Sequence, residues 1–256
     1  MREHSRPGVA QTACLVSVGT NERLRGVWGV VLIAASVGAA SLLPSPAQAQ
    51  PACPAPSTAP PQVEVVILDP QPRLSRDTTV SVLHALSGQP QRADFHHLGV
   101  TVVRMEWRGE VQISFATLPD GICAFVARVR VTLAHVGHRI LIAREIPQDS
   151  CLYEEVETHE RRHVAANRRA LRDAAAPTRR ALEAWAAEVE TRAATAEAAR
   201  EALLSGLQAT MTPVIAAVQE RRDAANRAID SPEEYRRIAQ SCGVDHVRLQ
   251  DRLRNP

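Results

Sequence analysis

Between Leu152 and Leu171 the chain places two imidazoles, a carboxylate and a carboxamide on the side of a helix that must face the interior. Stepping from His159 by about 100° per residue puts Leu152, Val156, Glu160, His163, Asn167, Ala170 and Leu171 on one arc about 120° wide. Glu154, Arg161, Arg162, Arg168, Arg169 and Arg172 fall on the other side, toward solvent. A solvated charge run would have put His159, Glu160 and His163 among the arginines. Their place on the apolar arc marks a site.

The spacing His159-Glu160-x-x-His163 has a chemical reading. Imidazoles four residues apart on a helix can bind one Zn2+ ion, and the intervening Glu is placed to act as general base toward a bound water. Tyr153 and Asn167 lie near the same arc, but a helical wheel does not select a group to stabilise a transition state. A catalytic zinc takes three protein ligands, so one more is required. It is not a histidine at short spacing, because position 169 is Arg. If the next helix folds back in a tight hairpin about Pro177, Glu188 or Glu190 comes opposite the histidines; His246, His135 and His138 are outlying alternatives.

Composition sets the compartment. The net charge is +2, which predicts no attraction to nucleic acid or an anionic membrane. All 30 basic residues are Arg, so clusters such as Arg161-Arg162 read as a solvated face. Residues 1–49 have the form of a signal peptide: a basic start, an apolar run from Val27 to Leu43, and Ala47-Gln48-Ala49 before the cleavage point. That run is short and weakly apolar for a span, so a soluble periplasmic or secreted protein without a stable membrane span is expected. Cleavage would remove Cys14 and leave Cys53, Cys123, Cys151 and Cys242, an even set suited to an oxidising compartment. Of the three pairings, Cys123 with Cys151 would tie a strand start to the motif helix and leave Cys53 with Cys242.

Residues 50–62 are Pro-rich and read as a linker, followed by a domain over 63–256. Within it, 63–147 is mainly β, 150–176 the motif helix and 178–256 a helical segment. Val63–Leu68 reads as a strand and Thr78–Leu86 as strand or short helix. Leu98–Trp107, Val111–Thr117, Ile122–His135 and His138–Ile146 read as an antiparallel meander, with Val136-Gly137 as a turn. Asp149 or Ser150 can cap the motif helix. Leu182, Trp185, Val189, Leu203, Leu207, Met211, Val214, Ile215 and Val218 then keep helical spacing, with breaks expected at Ser205-Gly206 and Pro213, and Ser231-Pro232-Glu233-Glu234 is a capping box. The fold class expected is α+β: a small antiparallel sheet, the motif helix and a long helical C-terminal segment.

This order of strands, cysteines, motif helix and trailing helix, with Cys123, Cys151 and the run EEVETHERRHVAANRRAL, resembles a bacterial family of exported proteins of uncharacterised function predicted to be zinc-dependent proteases. The likeness covers residues 98–185. It implies a minimal zincin fold whose sheet edge holds a peptide or protein substrate by strand addition. It also implies a gluzincin-like third ligand, Glu183, at a separation from His163 similar to that of thermolysin-like enzymes. The expected function is an exported metallopeptidase with Glu160 as base. The alternative is an envelope interaction protein whose helices bind a partner and whose motif is structural; a bound metal without hydrolysis is a third reading.

Overall fold

The computed structural model describes residues 11–18, 53–54, 60–87 and 97–254. Most of the expected leader, much of the linker and His96 lie outside these.

Two very long strands dominate the sheet: β4 (Gly99–Leu118, 20 residues) and β5 (Gly121–Ala143, 23 residues), antiparallel over their length. Of the three breaks expected between four shorter strands, those at 108–110 and 136–137 are not turns. At Arg108-Gly109-Glu110 the ladder continues, because Leu207 packs where a side chain on Gly109 would be: a Cβ there would lie 2.8 Å from Leu207 Cδ2. Gly137, at φ +66°, sits in an irregularity of the β4–β5 register between Val136 and Arg139.

The other edge of β5 is served by three short strands in series. β6 (Glu190–Ala193) pairs antiparallel with Ile122–Phe125, β2 (Gln62–Leu68) parallel with Arg128–Ala134, and β3 (Arg73–Thr78) parallel with the last residues of β5. Among the described residues the sheet is therefore six-stranded and mixed, with two parallel pairings, and the expected small antiparallel sheet is incorrect. Alternation along one strand reports which face is buried and says nothing of a partner's direction. β1 (Gln11–Val18), inside the expected leader, pairs antiparallel with Trp107–Ser114 on the outer edge of β4.

Helices cover one face. The motif helix α2 (Cys151–Asp173) starts at Ser150, whose Oγ accepts from Tyr153 N at 3.2 Å. It is followed after Ala174 by α3 (Ala175–Glu188), which packs on β2 and β5. Then comes β6, in the middle of what the sequence suggested was continuous helix, and α4 (Ala196–Ile229), which runs through Gly206 and Pro213 unbroken. Leu203, Leu207, Met211, Ile215 and Val218 of α4 meet Val129, Val131, Leu133, Val111 and Ile113 of the sheet. α4 is long and apolar enough to cross a membrane, but this stripe is spent in the core. A second cluster joins α1 (Val80–Ser87), the end of β5, the start of α2, α5 (Pro232–Ser241) and α6 (Gly243–Arg254).

The disulfides are Cys53–Cys123 and Cys151–Cys242, not the expected Cys123–Cys151 and Cys53–Cys242. The expected pairing assumed that the meander returned Cys123 toward the motif helix. Because β5 is a single strand, Cys123 lies at its first turn and α2 follows its far end, on the order of 60 Å of extended chain away. Two disulfides fit an oxidising environment.

Candidate metal centre

The inward arc of α2 is as the spacing requires: His159, Glu160, His163 and Asn167 are all buried, with Leu152, Val156 and Leu171 beside them. The two imidazoles converge. His163 Nε2 lies 3.1 Å from His159 Nε2, and Asp230 Oδ1 lies 3.2 Å from His159 Nε2 and 3.0 Å from His163 Nε2. Three donor atoms thus form a nearly equilateral triangle.

The outer nitrogens decide what that triangle means. His163 Nδ1 donates to Asn226 Oδ1 at 2.9 Å, and the Asn226 amide is itself oriented by donating to Asn167 Oδ1 at 2.9 Å. With its proton on Nδ1, the ring turns the Nε2 lone pair inward. His159 Nδ1 lies 3.5 Å from Glu234 Oε1, a carboxylate also bound by Arg162 and Arg237, and Arg162 Nη2 is 3.1 Å from the same nitrogen. Arg162 only donates and is the nearer partner, so this nitrogen accepts from it, while Glu234 holds the guanidinium in place. Nε2 of both imidazoles and a carboxylate oxygen are thus brought to one place, where a proton shared with Asp230 or a metal ion holds them together. Tetrahedral metal bonds of about 2.0–2.2 Å put neighbouring donors about 3.4 Å apart, so the triangle fits an ion with little movement. The Asp230 side chain is 38% exposed, so the fourth direction opens to solvent.

The charges follow from the same contacts. Burial would raise the Asp230 carboxyl, but hydrogen bonds with His159, His163 and Tyr235 and the His163 charge hold it well below the usual range. Burial would lower His163; its bonds to Asp230 and Asn226 outweigh that and raise it, so a proton is held where a metal would compete for the lone pair. Glu234 is held down to about 2, chiefly by the hydrogen bond from Arg237 and then Arg162, and stays anionic behind His159.

Glu160 is 4% exposed and takes no part in the triangle. Thr101 Oγ1 donates to its Oε2 at 2.7 Å and also to its backbone carbonyl at 3.1 Å. Burial raises its pKa against the opposing pull of Thr101 and the two imidazoles. Its other oxygen faces the start of β4: a Cβ on Gly99 would stand 2.7 Å from Glu160 Oε1 and 2.7 Å from Val156 Cγ1. Both groups line a cleft of about 1110 Å³, walled by Leu98–Val102 on one side and by Tyr235, Ile238 and His246 on the other.

The structure does not bring Glu183 or Glu188 to the imidazoles. Both are exposed on α3, as is Glu190 after it, because α3 continues from Ala174 over β2 rather than folding back beside α2. The antiparallel neighbour of α2 is α4, whose C-cap is Asp230. His246 Nε2 binds the Ile238 carbonyl at 3.1 Å, and His135 and His138 gather with Asp69. Tyr153 is packed under the Arg76 guanidinium, off the cleft lining, whereas Asn167 acts through Asn226. The residues that sequence reasoning missed are Asp230, Asn226, Glu234, Thr101, Gly99 and Tyr235. One signal pointed to Asn226, a polar residue continuing the stripe of Met211, Ile215 and Val218. A third grouping, Cys151, Cys242 and Asp245, is closed by the disulfide.

No family model, curated protein or solved structure matches the chain.

Proposed function

We propose that the protein is an exported zinc-dependent peptidase in which His159, His163 and Asp230 hold the ion and Glu160 is the general base. The observation that carries this reading is the convergence of three ligand atoms beside a separately held carboxylate, at the floor of an open cleft. Two imidazoles and one carboxylate with a fourth position open is the donor set of a catalytic zinc. When bound, zinc supplies a Lewis acid that lowers the pKa of a bound water from 15.7 toward about 7.

The rest falls to the chain's own groups. Glu160 accepts the proton of the attacking water as its oxygen adds to the carbonyl carbon, and delivers that proton to the departing amine as the C–N bond breaks. Thr101 occupies Oε2, which leaves Oε1 for this shuttle. Burial raises the basicity of the carboxylate and brings it nearer the working pH. The Tyr235 hydroxyl, 3.0 Å from Asp230 Oδ1, is the donor best placed to turn toward the carbonyl oxygen as charge develops there. The edge of β4 over 99–102, which borders the cleft and has only β5 beside it among the described residues, offers main-chain groups for an extended peptide. Removal of a leader through Ala49 would take β1 with it and lengthen that free edge.

The test is hydrolysis of a quenched-fluorescence peptide mixture by the purified protein. We expect turnover that 1,10-phenanthroline abolishes and added Zn2+ restores; cleavage indifferent to the chelator, or none after zinc loading, would sink the reading. A sharper expectation concerns Gly99. Gly99→Ala must push aside Glu160 or Val156, and displacement of a catalytic group by about 1 Å costs on the order of 10²-fold in rate. Steady-state kinetics with metal analysis should show that loss in kcat at unchanged zinc content.

A further inference from the structure

A second cluster lies where two irregularities of the sheet face each other. The β2 pairing ends at Leu68 opposite Ala134, the β3 pairing starts at Arg73 opposite Arg139, and the break between them, Asp69–Pro72, carries two prolines that cannot donate to a ladder. Across the break, β5 has its own irregularity at Val136-Gly137. Residues three apart on a regular strand point to opposite faces. Here the extra residue shifts the phase: Val129, Val131, Leu133 and His135 are buried before it, and His138, Ile140 and Ile142 after it. The two imidazoles therefore share a face, toward Asp69.

We propose that Asp69, His135 and His138 form a second metal site, structural rather than catalytic, for a divalent transition ion of the zinc type. Their donor atoms lie within 4.8 Å of one another. His138 is 4% exposed and neither ring nitrogen has a hydrogen-bond partner among the described residues, an expensive state for a buried imidazole unless something else takes its lone pair. His135, 3% exposed, has Nδ1 3.0 Å from Asp69 Oδ1. Arg168 Nε holds the other oxygen, Oδ2, at 2.7 Å. With two imidazoles and a single carboxylate, the donor set suits imidazole-seeking ions over Ca2+ or Mg2+, which need several oxygens. Three protein donors leave a position for water.

Placement argues for a structural role. None of the three residues lines the cleft. An ion there would fasten the end of β2 to the irregularity in β5 and, through Arg168, to α2 one residue beyond Asn167. This inference does not depend on hydrolysis.

The experiment is zinc stoichiometry by mass spectrometry after loading and gel filtration of the purified, disulfide-bonded protein, with the isosteric Asp69→Asn beside His138→Ala in case the latter fails to fold. We expect two zinc ions per chain in the wild type, one in either variant, one in His163→Ala, and none in His138→Ala/His163→Ala. A wild type with one ion that is lost in His163→Ala would overturn the second site and spare the first. Two ions retained in both Asp69→Asn and His138→Ala would overturn it as well, whereas zinc lost in those variants but kept in His163→Ala would fail the HExxH site instead.

Discussion

Glu160→Gln should lower kcat by about 10³-fold or more while leaving the metal in place, at the upper part of the range for a positioned general base. Glutamine keeps the size of the side chain, and its carbonyl can still accept from Thr101 Oγ1, so the packing of Gly99 and Val156 around it need not change. What it lacks is a group that accepts a proton near neutral pH. The donor triangle is formed by His159, His163 and Asp230 without Glu160, so zinc content should match the wild type. Turnover within tenfold of wild type, by single-turnover kinetics on one purified peptide, would remove Glu160 from the chemistry.

The second large effect concerns the Cys151–Cys242 bond. It joins the first residue of the motif helix to the residue after α5, across a separation of 91, and closing a loop of that length removes about 4–5 kcal/mol of chain entropy from the unfolded state. Cys151→Ser/Cys242→Ser should therefore lower the melting temperature by roughly 10–15 °C for a domain of this size. The consequence for the site is more specific. α5 carries Glu234, behind His159, and Tyr235, on Asp230, so loosening it should weaken zinc affinity by roughly 10-fold or more. Breaking Cys53–Cys123, separation 70, should cost similar stability yet leave zinc affinity alone, since it fastens the far end of β5. Calorimetry paired with zinc titration separates the two; equal zinc affinity in both double variants would show that α5 does not depend on its disulfide.

What could be read from the sequence followed from periods within one element. The buried arc of α2 depended only on 3.6 residues per turn, and the caps at Ser150 and Ser231 on side chains that serve amides three residues on. The sheet departs from the sequence pattern because its glycines do not punctuate strands. Gly109 is in the ladder to admit Leu207, and Gly137 lies at a register shift that the chain passes without reversing. The same departure accounts for the disulfides, since a folded-back β5 would have brought Cys123 to the motif helix. The third donor was beyond a local pattern altogether. Asp230 follows His163 by 67 residues and reaches it only because α4 packs antiparallel to α2 and ends beside the imidazoles, a tertiary fact that spacing does not encode. Arg168, assigned to the wet face, is half-buried on Asp69 for a similar reason: the β2–β3 break comes up to meet it.

The most direct test is crystallography of the zinc-loaded protein at the zinc absorption edge. An anomalous peak is expected within about 2.2 Å of His159 Nε2, His163 Nε2 and a carboxylate oxygen of Asp230, with Glu160 outside bonding distance. A loaded crystal with no peak among those three atoms, the imidazoles bridged instead by a proton to Asp230, would contradict this assignment.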